Sequence, residues 1–367
     1  MLQRLSIYTL VFAIMALSDA AIPILPELSK GESVVSSLIF SAYFTGALVA
    51  MLPSGILTDH YGNNRFILLA AVLTTISGLI LIISDHVWSI LIARFTGGLG
   101  AAAFFPAAFS ILADFEKKEQ CIGEFNFLLN LGLGAGVVVA GVLAAANIIY
   151  GVLVFTIFSI IPLAIAWKLP RENTPHRTGM VEHLFISLRN TTSMLFRSGF
   201  SSIWIVAFVL FGATGVVISV YPEYVLDQFN KSELGIYLFT LYIGAMLASL
   251  VGGHVKIRSD IMVQYGVVVT GIGALVTVVH PVGFALLGVG SGLGLLGLVN
   301  GIARLDVERG FSMGIFNTCT YGGLAILPVL AGFSLPIFTH RGVIIITGVI
   351  LLLIAMLPHS IANALDC

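Results

Sequence analysis

The sequence predicts an all-α membrane protein, with twelve transmembrane helices in two six-helix, pseudo-symmetric bundles. Three observations carry this. Apolar residues form 58% of the chain and charged residues 10%, against about 25% charge in ordinary soluble domains, and the mean hydropathy is +1.06. Roughly twelve apolar runs are each long enough to cross a bilayer core of about 30 Å, which takes about 20 helical residues. Short motifs of the first half recur, in order, in the second.

The runs are 5–26, 34–54, 66–84, 87–112, 123–146, 148–168, 200–221, 233–253, 261–279, 282–303, 311–334 and 341–358. Helices are the expected form, because lipid offers no partner for an open strand's amides, and the alternation of a membrane barrel is absent. The first run follows Arg4 as a signal peptide would, but it extends to Leu25 and holds Asp19, so it reads as a spanning helix. Lysines and arginines give the orientation. Thirteen, from Arg4 and Arg65 to Arg304 and Arg309, fall on one side, and Lys30, Lys231 and Arg341 fall on the other. Both termini are therefore expected in the cytoplasm of a multi-pass cell-membrane protein.

The longest polar stretch divides the chain into an N-terminal bundle (1–168), a cytoplasmic linker (169–199) and a C-terminal bundle (200–367). Val181, Leu184, Phe185, Leu188 and Leu195 recur at helical spacing beside Arg189 and Arg197, which suits a helix lying on the inner membrane surface; a plain solvated linker is the alternative. The repeat supports the division. Phe44-Thr-Gly46-Ala47 through Ala50 and Gly55 align with Tyr242-Ile-Gly244-Ala245 through Ala248 and Gly253. Pro26-Glu27 matches Pro222-Glu223, and Gly98-Leu-Gly100 matches Gly292-Leu-Gly294. Repeated halves are a transporter architecture.

Charge inside a bilayer costs at least about 2.5 kcal/mol per residue, so it marks function. Asp19 lies about seven residues before the outer end of the first run, and Arg94 about six residues inside the outer end of the fourth, which places both at nearly one depth. An aspartate near an arginine that loads and releases a proton is the physical basis of a proton-coupled carrier; a static ion pair joining the two helices is the alternative. The second half shows no mid-membrane acid or base, and its polar groups are mild, including Tyr242, Asn300 and Asn317. Such walls suit a lipophilic or amphipathic small molecule. Phe105, Phe109, Trp204 and Phe208 are candidates to line its cavity, or else face core or lipid.

Other functions are disfavoured. A net charge of −1 provides no basic face for nucleic acid. Cys121, Cys319 and Cys367 make neither a disulfide framework nor a metal spacing. The phosphate-cradling loop of ATP-driven proteins is missing. No catalytic constellation, metal or cofactor is expected; the expected partners are a small-molecule substrate, protons and lipid, with the chain acting as a monomer.

Gly55-Ile-Leu-Thr-Asp59-His-Tyr-Gly62-Asn-Asn-Arg65 reads as a polar loop between the second and third runs. It resembles the loop of the major facilitator superfamily, Gly-x-Leu-x-Asp-x-x-Gly followed by two basic residues. Gly55, Leu57, Asp59 and Gly62 match, Asn63 and Asn64 replace the basic pair, and Arg65 comes one step late. Arg94-Phe-Thr-Gly97-Gly98-Leu-Gly100-Ala101-Ala102 resembles the fourth helix of proton-coupled members, with Gly97 where glutamine is frequent. Gly132, Gly136 and Gly141 resemble the fifth-helix antiporter motif, with Val137 in place of its proline and Ala140 in place of a glycine.

The resemblance, closest to the twelve-helix drug–proton antiporters, implies alternating access with a substrate site between the halves. It also implies a cytoplasmic gate at Asp59 and Arg65, flanked by Gly55 and Gly62; an ordinary helical hairpin is the alternative there. The expected function is proton-coupled efflux. A proton-coupled symporter of a small metabolite and a non-transporting sensor or lipid-handling protein are the other readings.

Overall fold

The computed structural model describes residues 2–170, 201–254, 257–302 and 309–356. Hydrocarbon offers backbone amides no partner, so each apolar run closes its hydrogen bonds internally. Eleven helices among the described residues are long and apolar enough to cross a membrane. They are α1 (Leu2–Ala20), α2 (Ser33–Tyr61), α3 (Asn63–Ile83), α4 (Val87–Ala113), α5 (Lys118–Leu143), α6 (Tyr150–Trp167), α7 (Ser201–Tyr224), α8 (Lys231–His254), α9 (Ser259–Thr277), α10 (Gly283–Ile302) and α11 (Arg309–Met356). Apart from Leu169 and Pro170, the linker 169–199 and its expected surface helix lie outside the described residues.

Three boundaries differ from the sequence expectation, each for a local reason. The first helix ends at Ala20, and a 3-10 turn at Ile22–Ile24 and a helical turn at Leu25–Leu28 carry the chain outward. Pro23 and Pro26 lack the amide hydrogens that a continuous helix would need. The expected polar loop from Gly55 to Arg65 is not a loop. Helix α2 continues through it to Tyr61, and α3 starts at Asn63. At 29 residues, α2 is about 43 Å long and outlasts a 30 Å core, so its polar end stays helical outside the hydrocarbon. Only Gly62, at φ 91 and ψ 147, breaks the path, in a region of backbone space essentially reserved for glycine. Finally, the gap expected between 334 and 341 is helical up to a single non-helical residue, Thr339, at φ 58 and ψ 164 inside the 48-residue α11.

The chain divides into two compact units. The first comprises Met1–Phe185 with Asp227–Phe239, so the opening turns of α8 belong to it. Within it α2 packs on α4, α3 on α4 and α6, and α1 on α5 and α6. The contacts are backbone-close. A methyl group at Gly98 would overlap the carbonyl of Tyr43, and one at Gly46 the carbonyl of Phe95. Gly132 faces the Phe12 carbonyl at 2.8 Å from where a Cβ would stand. Small residues of this kind let membrane helices approach closely. Thr75 and Ser159 hydroxyls, 2.9 Å apart, join α3 to α6.

The second unit comprises Ile186–Leu226 with Thr240–Cys367. Here α9 packs on α10 and α11, and α7 on α11. Trp204, Leu210, Val263, Phe316 and Leu351 share its apolar core. The repeat seen in sequence has a packing counterpart. A methyl at Gly288 would overlap the Leu241 carbonyl, and the place of a Cβ on Gly244 lies 2.5 Å from the Ala285 carbonyl. The α8–α10 crossing is thus built from small residues as the α2–α4 crossing is. Many large apolar side chains are exposed, among them Ile83, Trp88, Trp167, Val279 and Ile337. The two tryptophans stand at helix ends, the level of a membrane's aromatic belt.

Three substitutions test these features. Gly98→Leu is expected to lower stability by about 1–3 kcal/mol through overpacking, while Gly314→Ala, at a position with open space, leaves the melting temperature near wild type. Gly62→Ala is expected to cost about 1–3 kcal/mol from its backbone angles alone. Thermal melting of the purified chain reads both; equal melting of all three variants would contradict this packing.

Candidate functional site

Arg94 projects from α4 in the first unit and is 3% exposed. Its Nη1 donates to the Ser18 carbonyl at 2.7 Å and its Nε to the Ile39 carbonyl at 3.3 Å. The guanidinium also stands over the Tyr43 ring, 5.0 Å from the centroid. One side chain therefore joins α1, α2 and α4. The choice of acceptor has a physical basis. Ser18 lies in the last turn of α1, where a helix leaves carbonyls without intrahelical partners and presents its negative dipole end. A cation is stabilised there.

Asp19 follows Ser18 and is 4% exposed; its carboxylate acts electrostatically on Arg94. The structure thus brings the two sequence-selected charges into one buried neighbourhood. A carboxylate near a helix C-terminus meets an unfavourable dipole, which Arg94 offsets. The equivalent point of the second unit carries no charge: by the Gly98–Gly292 spacing, Arg94 corresponds to Gly288, which touches Leu241, the counterpart of Tyr43.

The motif residues divide. Gly55 lies inside α2 with open space around it, so no tight turn or close approach requires a glycine there. Asp59 is in the last turn of α2, and its side chain lies outside the described residues. Arg65 is exposed in the first turn of α3. The amides that replace the basic pair are engaged. Asn64, 4% exposed, accepts from Gln3 at 3.2 Å and donates to the Pro170 carbonyl at 2.9 Å. It ties the beginning of α1 to the residues after α6. Asn63 donates to Ser110 at 3.1 Å.

In the fifth helix, Gly132 and Gly136 receive α1 at Phe12 and Ala16, and Gly141 receives the first turn of α8 at Lys231. Among the cavity candidates, Phe105 and Phe109 stack on each other, and Phe125 meets the first edge-on and the second at a tilt, with centroids 5.1–6.2 Å apart. Phe105 is 9% exposed and Phe109 40%. Trp204 is 3% exposed within the second unit's core, with Phe208 packed against it. Tyr242 is buried, Asn317 half-buried and Asn300 exposed.

Other polar groups were not singled out by sequence. The Glu223 side chain is 8% exposed and sits 3.0 Å from the His340 ring nitrogen. Its repeat partner Glu27 pairs with Lys231 at 2.6 Å, and that lysine also donates to the Pro23 carbonyl at 3.1 Å. Glu124 lies inside the fifth span. It pairs with Arg4 and accepts from the Tyr8 hydroxyl at 2.7 Å and from Gln120 at 2.9 Å. The available signal was an acid just inside an apolar run, near the membrane level of Arg4 just before the first.

A sequence profile of the Major Facilitator Superfamily matches residues 6–303 and, again, 203–360. An uncharacterized MFS-type transporter of Methanocaldococcus jannaschii is 33% identical over 110 residues, 29% of this chain and 28% of that protein. The arabinose-proton symporter of Bacillus subtilis is 33% identical over 85 residues, 23% of this chain and 18% of its own length. The chain thus spans under a third of either relative's length. The uncharacterized MFS-type transporter YdgK of Bacillus subtilis is 22% identical over 281 residues, covering 71% of this chain and 69% of that one. Among solved structures, a POT family transporter in complex with 5-aminolevulinic acid superposes with a TM-score of 0.78 at 13% identity, covering 97% of this chain and 94% of the other. The nucleoside transporter NupG gives 0.77 at 11% identity, covering 96% and 98%. These likenesses share the fold. With eleven helices among the described residues long and apolar enough to cross a membrane and a profile covering most of its length, the chain belongs to the major facilitator superfamily.

Proposed function

We propose that the protein is a proton-coupled secondary transporter that exports a lipophilic or amphipathic small molecule in exchange for protons, by alternating access. Counting the helical run on each side of Thr339 as one crossing gives twelve spans, read as two six-helix bundles with both termini in the cytoplasm. The observation that carries the proposal is the burial of Asp19 beside Arg94. Arg94 is held by two carbonyls as well as by charge, so Asp19 can gain a proton without stranding a guanidinium in hydrocarbon. Reversible loading of one carboxylate is what coupling requires. Asp59 and Arg65 are assigned to the cytoplasmic gate, with Gly62 as its pivot. The antiport sense rests on the run of Gly132, Gly136 and Gly141. Symport is the second reading, favoured by the short match to the arabinose-proton symporter.

Proteoliposomes loaded with a pH dye distinguish these. A panel of lipophilic cations, sugars and amino acids is added outside without an imposed gradient. Antiport predicts lumen alkalinisation with an accepted solute, and symport predicts acidification; no response from any solute class would contradict both. Asp19→Asn is expected to abolish solute-driven proton movement, and undiminished movement would remove Asp19 from the mechanism. Arg94→Lys keeps the charge but loses the two-carbonyl fork, and is expected to reduce coupled flux about tenfold, the scale of one lost charged hydrogen bond.

A further inference from the structure

Pro26-Glu27 and Pro222-Glu223 occupy matching places in the two halves, yet their acids are answered by different cations. Glu27 meets the Lys231 ammonium at 2.6 Å, a kind of group that keeps its charge throughout the neutral range. The Glu223 side chain, 8% exposed, meets the His340 ring at 3.0 Å. An imidazole gains and loses its charge between about pH 5 and 8. One contact is permanent, and its counterpart responds to protons.

His340 also follows the most unusual backbone position of the second unit. Thr339 stands at φ 58 and ψ 164, a region essentially reserved for glycine, which persists only where the surroundings hold it. Its Oγ1 accepts from the Gly342 amide at 3.4 Å, and the next residue is tied through His340 to the last turn of α7. The neighbouring ionisable groups make contacts of their own or face outward. On α7, the Tyr221 ring lies edge-on to Phe284 of α10 at 4.6 Å, and the Tyr224 hydroxyl donates to the Val278 carbonyl after α9 at 3.0 Å. His280, between α9 and α10, accepts at Nδ1 from the Val282 amide at 3.1 Å. Asp227, past the end of α7, and Arg341 of α11 are exposed. The first turns of α10 hold no ionisable residue.

We propose that Glu223 and His340 form a proton-operated latch at the outer end of the second unit. A protonated imidazole binds the last turn of α7 to the strained Thr339 turn, and its deprotonation loosens them. The added charge is present in acid and lost as the pH rises through the imidazole range, so the latch is tight at low pH and loose at high pH. It makes pH a modulator of α7 whatever the cargo, and it does not depend on Asp19.

Hydrogen–deuterium exchange of the purified full chain at about pH 5.5 and about pH 8, corrected for the intrinsic pH dependence of exchange, tests this. Peptides covering 219–226 and 337–346 report the latch, and 22–30 serves as the internal control. In the first of these, the Val225 and Leu226 amides donate to the Tyr221 and Glu223 carbonyls. The wild-type chain is expected to show about fivefold greater protection in acid in both latch peptides, the scale separating a charged from a neutral hydrogen bond, with no such step in the control. His340→Gln keeps a donor but cannot charge, and should abolish the step. His340→Lys should stay protected at both pH values, as the Glu27–Lys231 contact does. Asp19→Asn should keep the step, so a failure here is distinct from a failure of proton coupling. No step in the wild-type chain, an undiminished step in His340→Gln or His340→Lys, or its loss in Asp19→Asn would overturn the proposal.

Discussion

A guanidinium surrounded by hydrocarbon is tolerable only when both its donors and its charge are answered. Arg94 meets this condition through the Ser18 and Ile39 carbonyls, the Tyr43 ring and the charge of Asp19. Much of the first unit follows from that need. Helix α1 must end where Ser18 can accept, and Pro23 and Pro26 prevent it from continuing. Helix α2 must lie close enough to present Ile39 and Tyr43, which Gly46 and Gly98 permit by letting α2 and α4 touch through their backbones. Packing and electrostatics are thus one requirement at this junction.

The two units share a scaffold and differ in what it holds. Glycines at matching places bring α2 to α4 and α8 to α10. Yet where the first unit has Arg94 over Tyr43, the second has Gly288 against Leu241. Helix crossings built from small residues need no charge. The arginine is therefore an addition to the repeat, one that its packing does not call for, and function is the economical reason for carrying it. The acids in the helical turn after α1 and at the end of α7 retain the repeat more closely: Glu27 meets Lys231 and Glu223 meets His340.

Hydropathy made the apolar runs legible, because a bilayer imposes a length that composition alone reveals. Asp19 and Arg94 stood out for the same reason. Less legible was how helices end. The stretch from Gly55 to Tyr61 looked like a loop because it is polar, but polarity ends a membrane crossing, and only Gly62 ends the helix. The roles of Asn64 and Glu124 were also hidden. Each depends on partners 60 or more residues away, Gln3 and Pro170 for the one and Arg4 and Tyr8 for the other. Spacing within a motif cannot report such contacts. Phe105 and Trp204 carried a further ambiguity, since an aromatic ring in a membrane helix has the same signature in a cavity wall as in a core.

The central claim is that Asp19 exchanges its proton in response to cargo while Arg94 remains in place. Proton release on ligand binding, measured with a pH indicator in weakly buffered detergent solution, tests it without liposomes or gradients. The account predicts about one proton released per bound cargo molecule by the wild-type chain and none by the chain with asparagine at position 19. Equal release from both proteins would contradict it.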